Sequence, residues 1–327
     1  MSTPSTPFQP AFGLSNRHLQ TLYSSFFKKS PNLSFEIEKF ELNDGDFVEC
    51  YWYNKPTKMT NKPIVTLFHG LAGSYKSPYI QTLMQKLDKE GFTPVLMHFR
   101  SCSGKMNKLP RSYHSGDTAD ALEWLKHLKQ TYANSTLFCV GYSLGGNMLL
   151  KLLGELKENS FIKAAISVSA PLQLDVCAYK MDTGFSKFYQ HILLKDLRNS
   201  LHEKYKKHNL EKLIGLKKSE INKLDTFWKF DDLYTAPIHG FKSVNDYYTR
   251  SSAKQYLQYI KTDTLIIHSK DDPFMTLDVL PKKSELSASI ELEIYPHGGH
   301  VGFISGSFIK PHYWLEDRIV SYFKDKL

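Results

Sequence analysis

Apolar and polar positions change rhythm several times along the chain. Residues 35–42 (FEIEKFEL) and 46–53 (DFVECYWY) alternate apolar and polar side chains around Asn43-Asp44-Gly45, which predicts a β-hairpin. A short apolar run at 64–68 ends in His69-Gly70. A helix-like stretch follows over 78–89, then another apolar run at 93–99. Helical spacing returns over 117–129, where Ala121, Leu122, Leu125 and Leu128 share a face. An apolar run at 136–140 leads into a helix over 144–157, and 164–168 reads as the next strand. Strands alternating with amphipathic helices predict βαβ units and a mostly parallel sheet.

The alternation stops after Ala170-Pro171. Residues 172–260 hold no comparable strand run. They are rich in lysine and aromatics, with Phe188 and Ile192, and Tyr189 and Leu193, at helical spacing. This segment is expected to be a helical cap inserted into the sheet domain. The β pattern resumes at 264–268 and 290–295, and a last amphipathic helix covers 313–323. Residues 1–34 are expected to pack on the body, with Leu14, Leu19, Leu22 and Phe26 as the apolar stripe. The expected fold is therefore α/β: about eight mostly parallel strands with helices on both faces. Its core comprises 35–171 and 261–327, and its cap 172–260.

Composition adds limits. Of 327 residues, 41 % are hydrophobic and 23 % charged, an ordinary globular balance. The net charge of +9 favours acidic partners in general. The lysines concentrated at 204–223 read as a solvated helical face, and no nucleic-acid motif accompanies them, so no nucleic-acid partner is expected. Cys50, Cys102, Cys139 and Cys177 show no CxxC spacing and read as free thiols of a reducing compartment. The N-terminus lacks signal-peptide character, and no apolar stretch approaches the roughly 18 residues needed to span a bilayer. The expectation is a soluble, cytoplasmic protein, with peripheral membrane contact left open. Oligomeric state is not legible.

The strongest chemical signal is Gly141-Tyr142-Ser143-Leu144-Gly145-Gly146. An apolar strand leads in and an apolar-periodic helix leads out, the setting of a nucleophile elbow that projects a serine hydroxyl above a sheet. A phosphate loop would need Gly-Lys-Ser/Thr after four intervening residues, which is absent. A serine nucleophile needs a base. The loop after the last strand offers His297-Gly298-Gly299-His300, and His300 is the expected base, with His297 structural. A metal pair at His297 and His300 lacks any supporting ligand motif. The base needs a carboxylate, expected after the penultimate strand. Asp272, directly before Pro273, is preferred there, with Asp271 the alternative. Leu144 and Leu71 are expected to supply the amides of an oxyanion hole. His69 reads as structural. The loop 100–104 should border the site, with Arg100 either binding an anionic group or, as is more common, paired to a carboxylate. Ser115 and Asp117 are expected to cap the following helix.

Six motifs occur in one order: His69-Gly70-Leu71-Ala72-Gly73, Phe99-Arg100-Ser101-Cys102-Ser103-Gly104, Tyr113-His114-Ser115-Gly116-Asp117-Thr118, the serine motif through Asn147, Asp271-Asp272-Pro273-Phe274-Met275 and 297–303. Residues 235–241, 246–248 and 18–21 fit the same pattern. The chain resembles the YheT-like branch of the α/β-hydrolases (AB hydrolase family 4) over nearly its whole length. The resemblance implies a hydrolase using Ser143, Asp272 (or Asp271) and His300, in a branch of carboxylesterases, lipid and phospholipid hydrolases and acyl-transferring enzymes.

The expected reaction is hydrolysis of a small-molecule acyl ester or lipid through an acyl-enzyme, with no cofactor and no metal. Acyl transfer to an alcohol uses the same residues and stands as the alternative. A non-catalytic binding protein on this scaffold is a further one. Phe227, Trp228, Tyr247 and Tyr248 point either to an apolar acyl group or to packing within the cap.

Overall fold

The computed structural model describes residues 7–327. Residues 1–6 and the side chains of Ser25 and Phe26 lie outside the described residues, and with them the start of the N-terminal segment and the Phe26 end of its expected stripe. The chain opens with α1 (Arg17–Phe27), then β1 (Glu36–Glu41), β2 (Phe47–Trp52), β3 (Ile64–Phe68), α2 (Pro78–Lys89), β4 (Thr93–Met97), α3 (Ala119–Thr131), β5 (Leu137–Tyr142), α4 (Leu144–Leu156) and β6 (Ala164–Val168). Only helical elements follow before β7: α5 (Leu174–Met181), α6 (Ser186–Lys207), α7 (Leu210–Ile214), α8 (Phe227–Phe230), α9 (Ala236–Ile238), α10 (Val244–Ser251) and several short turns. The chain ends with β7 (Asp263–Ser269), β8 (Ile290–Tyr295), β9 (Ile304–Gly306), β10 (Pro311–Tyr313) and α11 (Trp314–Lys324).

Eight strands form one sheet in the order β1-β2-β4-β3-β5-β6-β7-β8. The first two pair antiparallel, and β2 also meets β4 antiparallel; the pairs from β4 through β8 are parallel. β3 to β6 are buried along their whole length, which is why they read as apolar runs. Their side chains still alternate between faces. Ile64, Phe68, Val95 and Cys139 face α3 and α4, while Val65, Leu67, Leu96 and Val140 face α2 and α11. Each large apolar side chain removed from water there contributes roughly 1.5–3 kcal/mol. No helix among the described residues is long and apolar enough to cross a membrane.

Four local readings need correction. First, the N-terminal helix does not bury the expected stripe. Leu14 is buried, but Leu19 is exposed, and the faces turned inward are Gln20, Thr21 and Tyr23. The reason is that Gln20 and Thr21 on this face meet backbone, while Tyr23 alone of the three packs with Ala11, Leu14 and Ile304. Gln20 donates to the carbonyls of Leu14 and Ile304 and accepts from the Ile304 amide at 2.7 Å. Second, Lys204 is fully buried, not solvated. Its ammonium bonds Asn107 Oδ1 and the Leu109 carbonyl at 3.0 Å. Its neighbours Lys206, Lys207 and Lys212 are exposed. Third, neither Ser115 nor Asp117 caps α3. The cap position is Thr118, without a side-chain cap bond, and Asp117 instead pairs with Arg111 at 3.0 Å. Fourth, the antiparallel pair β9–β10 has no counterpart in the sequence reading.

Candidate active site

β5 ends at the middle of the sheet and turns directly into α4. Ser143 sits on that turn with φ 50° and ψ −117°, a conformation L residues rarely adopt. The turn closes this tightly because Gly141 and Gly145, two residues to either side, lack side chains. A Cβ on Gly141 would lie 2.4 Å from the Gly145 carbonyl oxygen, and one on Gly145 would lie 2.5 Å from that of Phe68. The packed backbone around Gly141 and Gly145 holds the strain, and it leaves the hydroxyl at the carboxyl end of the sheet, facing the cavity.

The loop after β8 brings His300 to this hydroxyl. His300 Nε2 is 3.0 Å from Ser143 Oγ, and His300 Nδ1 is 2.8 Å from Asp272 Oδ2. A carboxylate on Nδ1 favours the tautomer with its proton there, so Nε2 accepts from the serine hydroxyl. Asp272 is almost wholly buried, and its other oxygen accepts from the Phe274 amide at 2.8 Å. The Phe274 ring stacks on the His300 ring. Asp271 faces elsewhere: it accepts from the Gly299 amide at 2.9 Å and meets the more exposed His297 at 3.4 Å. Thus Asp271 bonds the backbone of the histidine loop, while Asp272 meets the imidazole. Thr21 Oγ1 accepts from the His300 amide at 2.9 Å, so α1 also steadies this loop.

The loop after β3 passes beside Ser143; a Cβ on Gly70 would be 3.3 Å from the serine Cβ. Two tyrosines hold it. The Gly70 amide donates to Tyr79 Oη at 3.1 Å and the Ala72 amide to Tyr113 Oη at 3.0 Å. The Leu71 amide lies between them and, like that of Leu144 at the start of α4, has no acceptor among the described residues. His69 is buried under the loop. It contacts the Gly70 carbonyl at 2.7 Å and accepts from the Phe99 amide, and burial lowers its pKa to about 3, so it stays neutral.

The loop 100–104 does not line the cavity itself; it stands one layer behind, where Cys102 bonds the cavity-lining Tyr113. Arg100 is buried among Asp44, Asp46 and Asp120 at 2.6–2.9 Å, which ties the loop to the β1–β2 turn and α3. Residues 112–115 line the cavity instead. The cavity has a volume of about 140 Å³ and contains Ser143, His300, Leu71 and Leu144 on its sheet side. Its other wall is apolar: Leu174, Ala178, Met181, Leu197 and Leu201, from α5 and α6. Phe227, Tyr247 and Tyr248 line it as well, while Trp228 is half-exposed and packs against the ring of Tyr248. Tyr247 and Tyr248 also pack into a cluster of their own with Val244 and Leu174.

His297 and His300 point to different carboxylates, so they do not converge as a metal pair. His114, Asp117 and His239 do lie within 4.8 Å of one another. Asp117 is already engaged by Arg111, and His239 Nδ1 meets the Thr235 carbonyl at 2.8 Å. All four cysteines are free; Cys177 lines the cavity, where burial pushes its thiol pKa up. Tyr79, Tyr113 and Phe274 carry support roles that residue type and spacing did not reveal. Two of them lie within motifs, but a tyrosine that holds a loop amide looks like any other core aromatic.

The sequence profile of the alpha/beta hydrolase fold matches residues 63–307. The chain is 42 % identical over 315 residues to the provisionally named esterase YheT of Escherichia coli (strain K12), covering 96 % of this chain and 92 % of that one. It is 28 % identical to a monoacylglycerol lipase of Saccharomyces cerevisiae, over 84 % of this chain and 61 % of that one. Among solved structures, the Pyrococcus furiosus esterase Pf2001 aligns with a TM-score of 0.58 at 16 % identity, covering 90 % of this chain and 91 % of the other.

Proposed function

Because the chain belongs to the alpha/beta hydrolase fold family, in its YheT-like branch, we propose that it is a serine esterase working through Ser143, His300 and Asp272. One observation carries the reading: the run of contacts from Ser143 Oγ to His300 Nε2 at 3.0 Å and from His300 Nδ1 to Asp272 Oδ2 at 2.8 Å. His300 takes the serine proton as Oγ attacks the ester carbonyl. Asp272 stays ionised and stabilises the imidazolium. The Leu71 and Leu144 amides receive the oxyanion, a contribution of roughly 3–4 kcal/mol for each such donor. His300 then protonates the leaving alcohol, and water activated by the same imidazole releases the acid.

Residues 172–260 act in this reading as a cap over the core formed by 35–171 and 261–327, with the described part of the N-terminal segment, 7–34, packed on that core. The apolar wall from α5 and α6 supports an ester with an apolar acyl or alkyl group, including lipid esters. The relatives' esterase and lipase names agree with that substrate class. The test is an ester panel of graded chain length with a fluorophosphonate probe. Wild type is expected to turn over and be labelled, and Ser143→Ala to do neither. A folded wild-type protein that resists the probe and cleaves no ester overturns the reading.

A further inference from the structure

The helical segment places one acid where the proposed mechanism has no use for it. Asp231 lines the same cavity as Ser143 and His300. It opens a single π-helical turn, Asp231–Thr235, between α8 and α9. Such turns are rare and gather at functional sites. Tyr248 Oη donates to Asp231 Oδ2 at 2.8 Å, and the Thr235 side chain adds a second hydrogen bond.

Among the described residues no lysine, arginine or histidine pairs with this carboxylate. The cavity lining holds no lysine or arginine, and burial with the neighbouring His239 keeps His114 neutral. Burial lifts the Asp231 carboxyl to about 6, which still leaves it mostly ionised at neutral pH. A charge kept in such a place without a counter-charge lowers stability. Asparagine would accept the Tyr248 hydrogen bond without that penalty. The carboxylate therefore calls for a positive partner from outside the chain. Its surroundings suit one: Phe227, Phe230, Tyr234, Tyr247 and Tyr248 line the same space, and aromatic faces attract cations.

We propose that Asp231 and the surrounding rings form an ammonium-binding subsite, so that the preferred esters carry a quaternary or protonated amine. This rests on the esterase reading only in that Ser143 shares the cavity. Choline and 3,3-dimethylbutan-1-ol have the same shape and differ in charge. In calorimetric titrations of the full chain well above pH 6, choline is expected to bind wild type at least about tenfold more tightly than its neutral isostere. Asp231→Asn is expected to erase the difference. No binding at millimolar choline, equal affinity for the pair, or a preference that survives in Asp231→Asn each overturns the subsite. Butyrylcholine against 3,3-dimethylbutyl butyrate then reads the same preference in kcat/KM. Equal turnover of the two esters overturns the subsite and leaves the esterase reading standing. Charge-dependent choline binding without turnover of any ester supports the subsite and sinks the esterase reading.

Discussion

The ring of Phe274 lies 3.9 Å from that of His300 and is tilted only 15° to it, while the Phe274 amide donates to Asp272 Oδ1 at 2.8 Å. One residue thus holds the imidazole by its face and the carboxylate by its backbone. Replacing the ring frees the imidazole but spares the amide bond. Phe274→Ala is expected to lower kcat by about 10–100-fold, since small misplacements of a reacting group cost that much. Steady-state kinetics with a circular dichroism check tests this; an unchanged kcat in a folded variant contradicts it.

The two adjacent aspartates should separate cleanly. Asp272→Asn removes the charge beside His300 Nδ1 and is expected to lower kcat by about 10⁴-fold. Asp271→Asn weakens the bond to the Gly299 amide and is expected to cost less than about tenfold in kcat, with a lower Tm. Parallel kinetics and melting of the two variants decide; a larger kcat loss in Asp271→Asn reverses the assignment.

The elbow leaves no room for a Cβ at positions 141 and 145. Gly145→Ala drives a methyl to 2.5 Å from the Phe68 carbonyl oxygen, which is backbone and cannot swing away. The expected loss is about 3 kcal/mol or more, read as a drop in urea midpoint. A variant as stable as wild type shows that the turn is looser than described.

Arg100 holds three carboxylates at once, with its own side chain wholly buried. For Asp46, burial pushes the carboxyl up, but hydrogen bonds from Asn107 and the amides of Lys108 and Leu109 outweigh it and hold the pKa below the usual range. Arg100→Ala leaves buried Asp46 without its salt-bridge partner and Asp44 and Asp120 with Arg111 alone, and about 3–5 kcal/mol of stability should go with it. Chemical denaturation tests this. A loss under about 1 kcal/mol shows that water replaces the guanidinium.

Asp231 gives a pH-dependent prediction. Its folded pKa, about 6, lies above the ordinary 3.8. The folded state therefore binds this proton more tightly, a contribution complete below about pH 4 and lost as the pH rises through 6. Asp231→Asn removes that dependence. Relative to wild type it should gain stability between about pH 4 and pH 8, by on the order of 3 kcal/mol. Melting curves of both proteins across that range check it; a gap that does not widen with pH refutes it.

Elements buried on both faces left the clearest trace in the residue order. The runs at 64–68 and 164–168 match β3 and β6, and Gly-Tyr-Ser-Leu-Gly marks its turn because steric exclusion demands glycine at 141 and 145. β9 and β10 left none: three residues each, with Gly306 in one and Pro311 in the other, carry no period. Lys204 looked like its exposed neighbours because its partners, Asn107 and Leu109, lie about a hundred residues away. Tyr79, Tyr113 and Phe274 act through a single hydroxyl or ring face, a role set by three-dimensional contact. The same holds for Asp231, whose interest lies in what surrounds it.

The threonine hydroxyl of α1 that receives the His300 amide gives the opening of the chain a stake in turnover. A protease that clips ahead of β1 would sever the link between this tether and the sheet, and if α1 then left it would take with it the bonds of Gln20 and the packing of Leu14 on Ile304, so the trimmed body should lose melting temperature as well as rate. Preparations that differ only in how they begin should therefore be compared by rate as well as by purity.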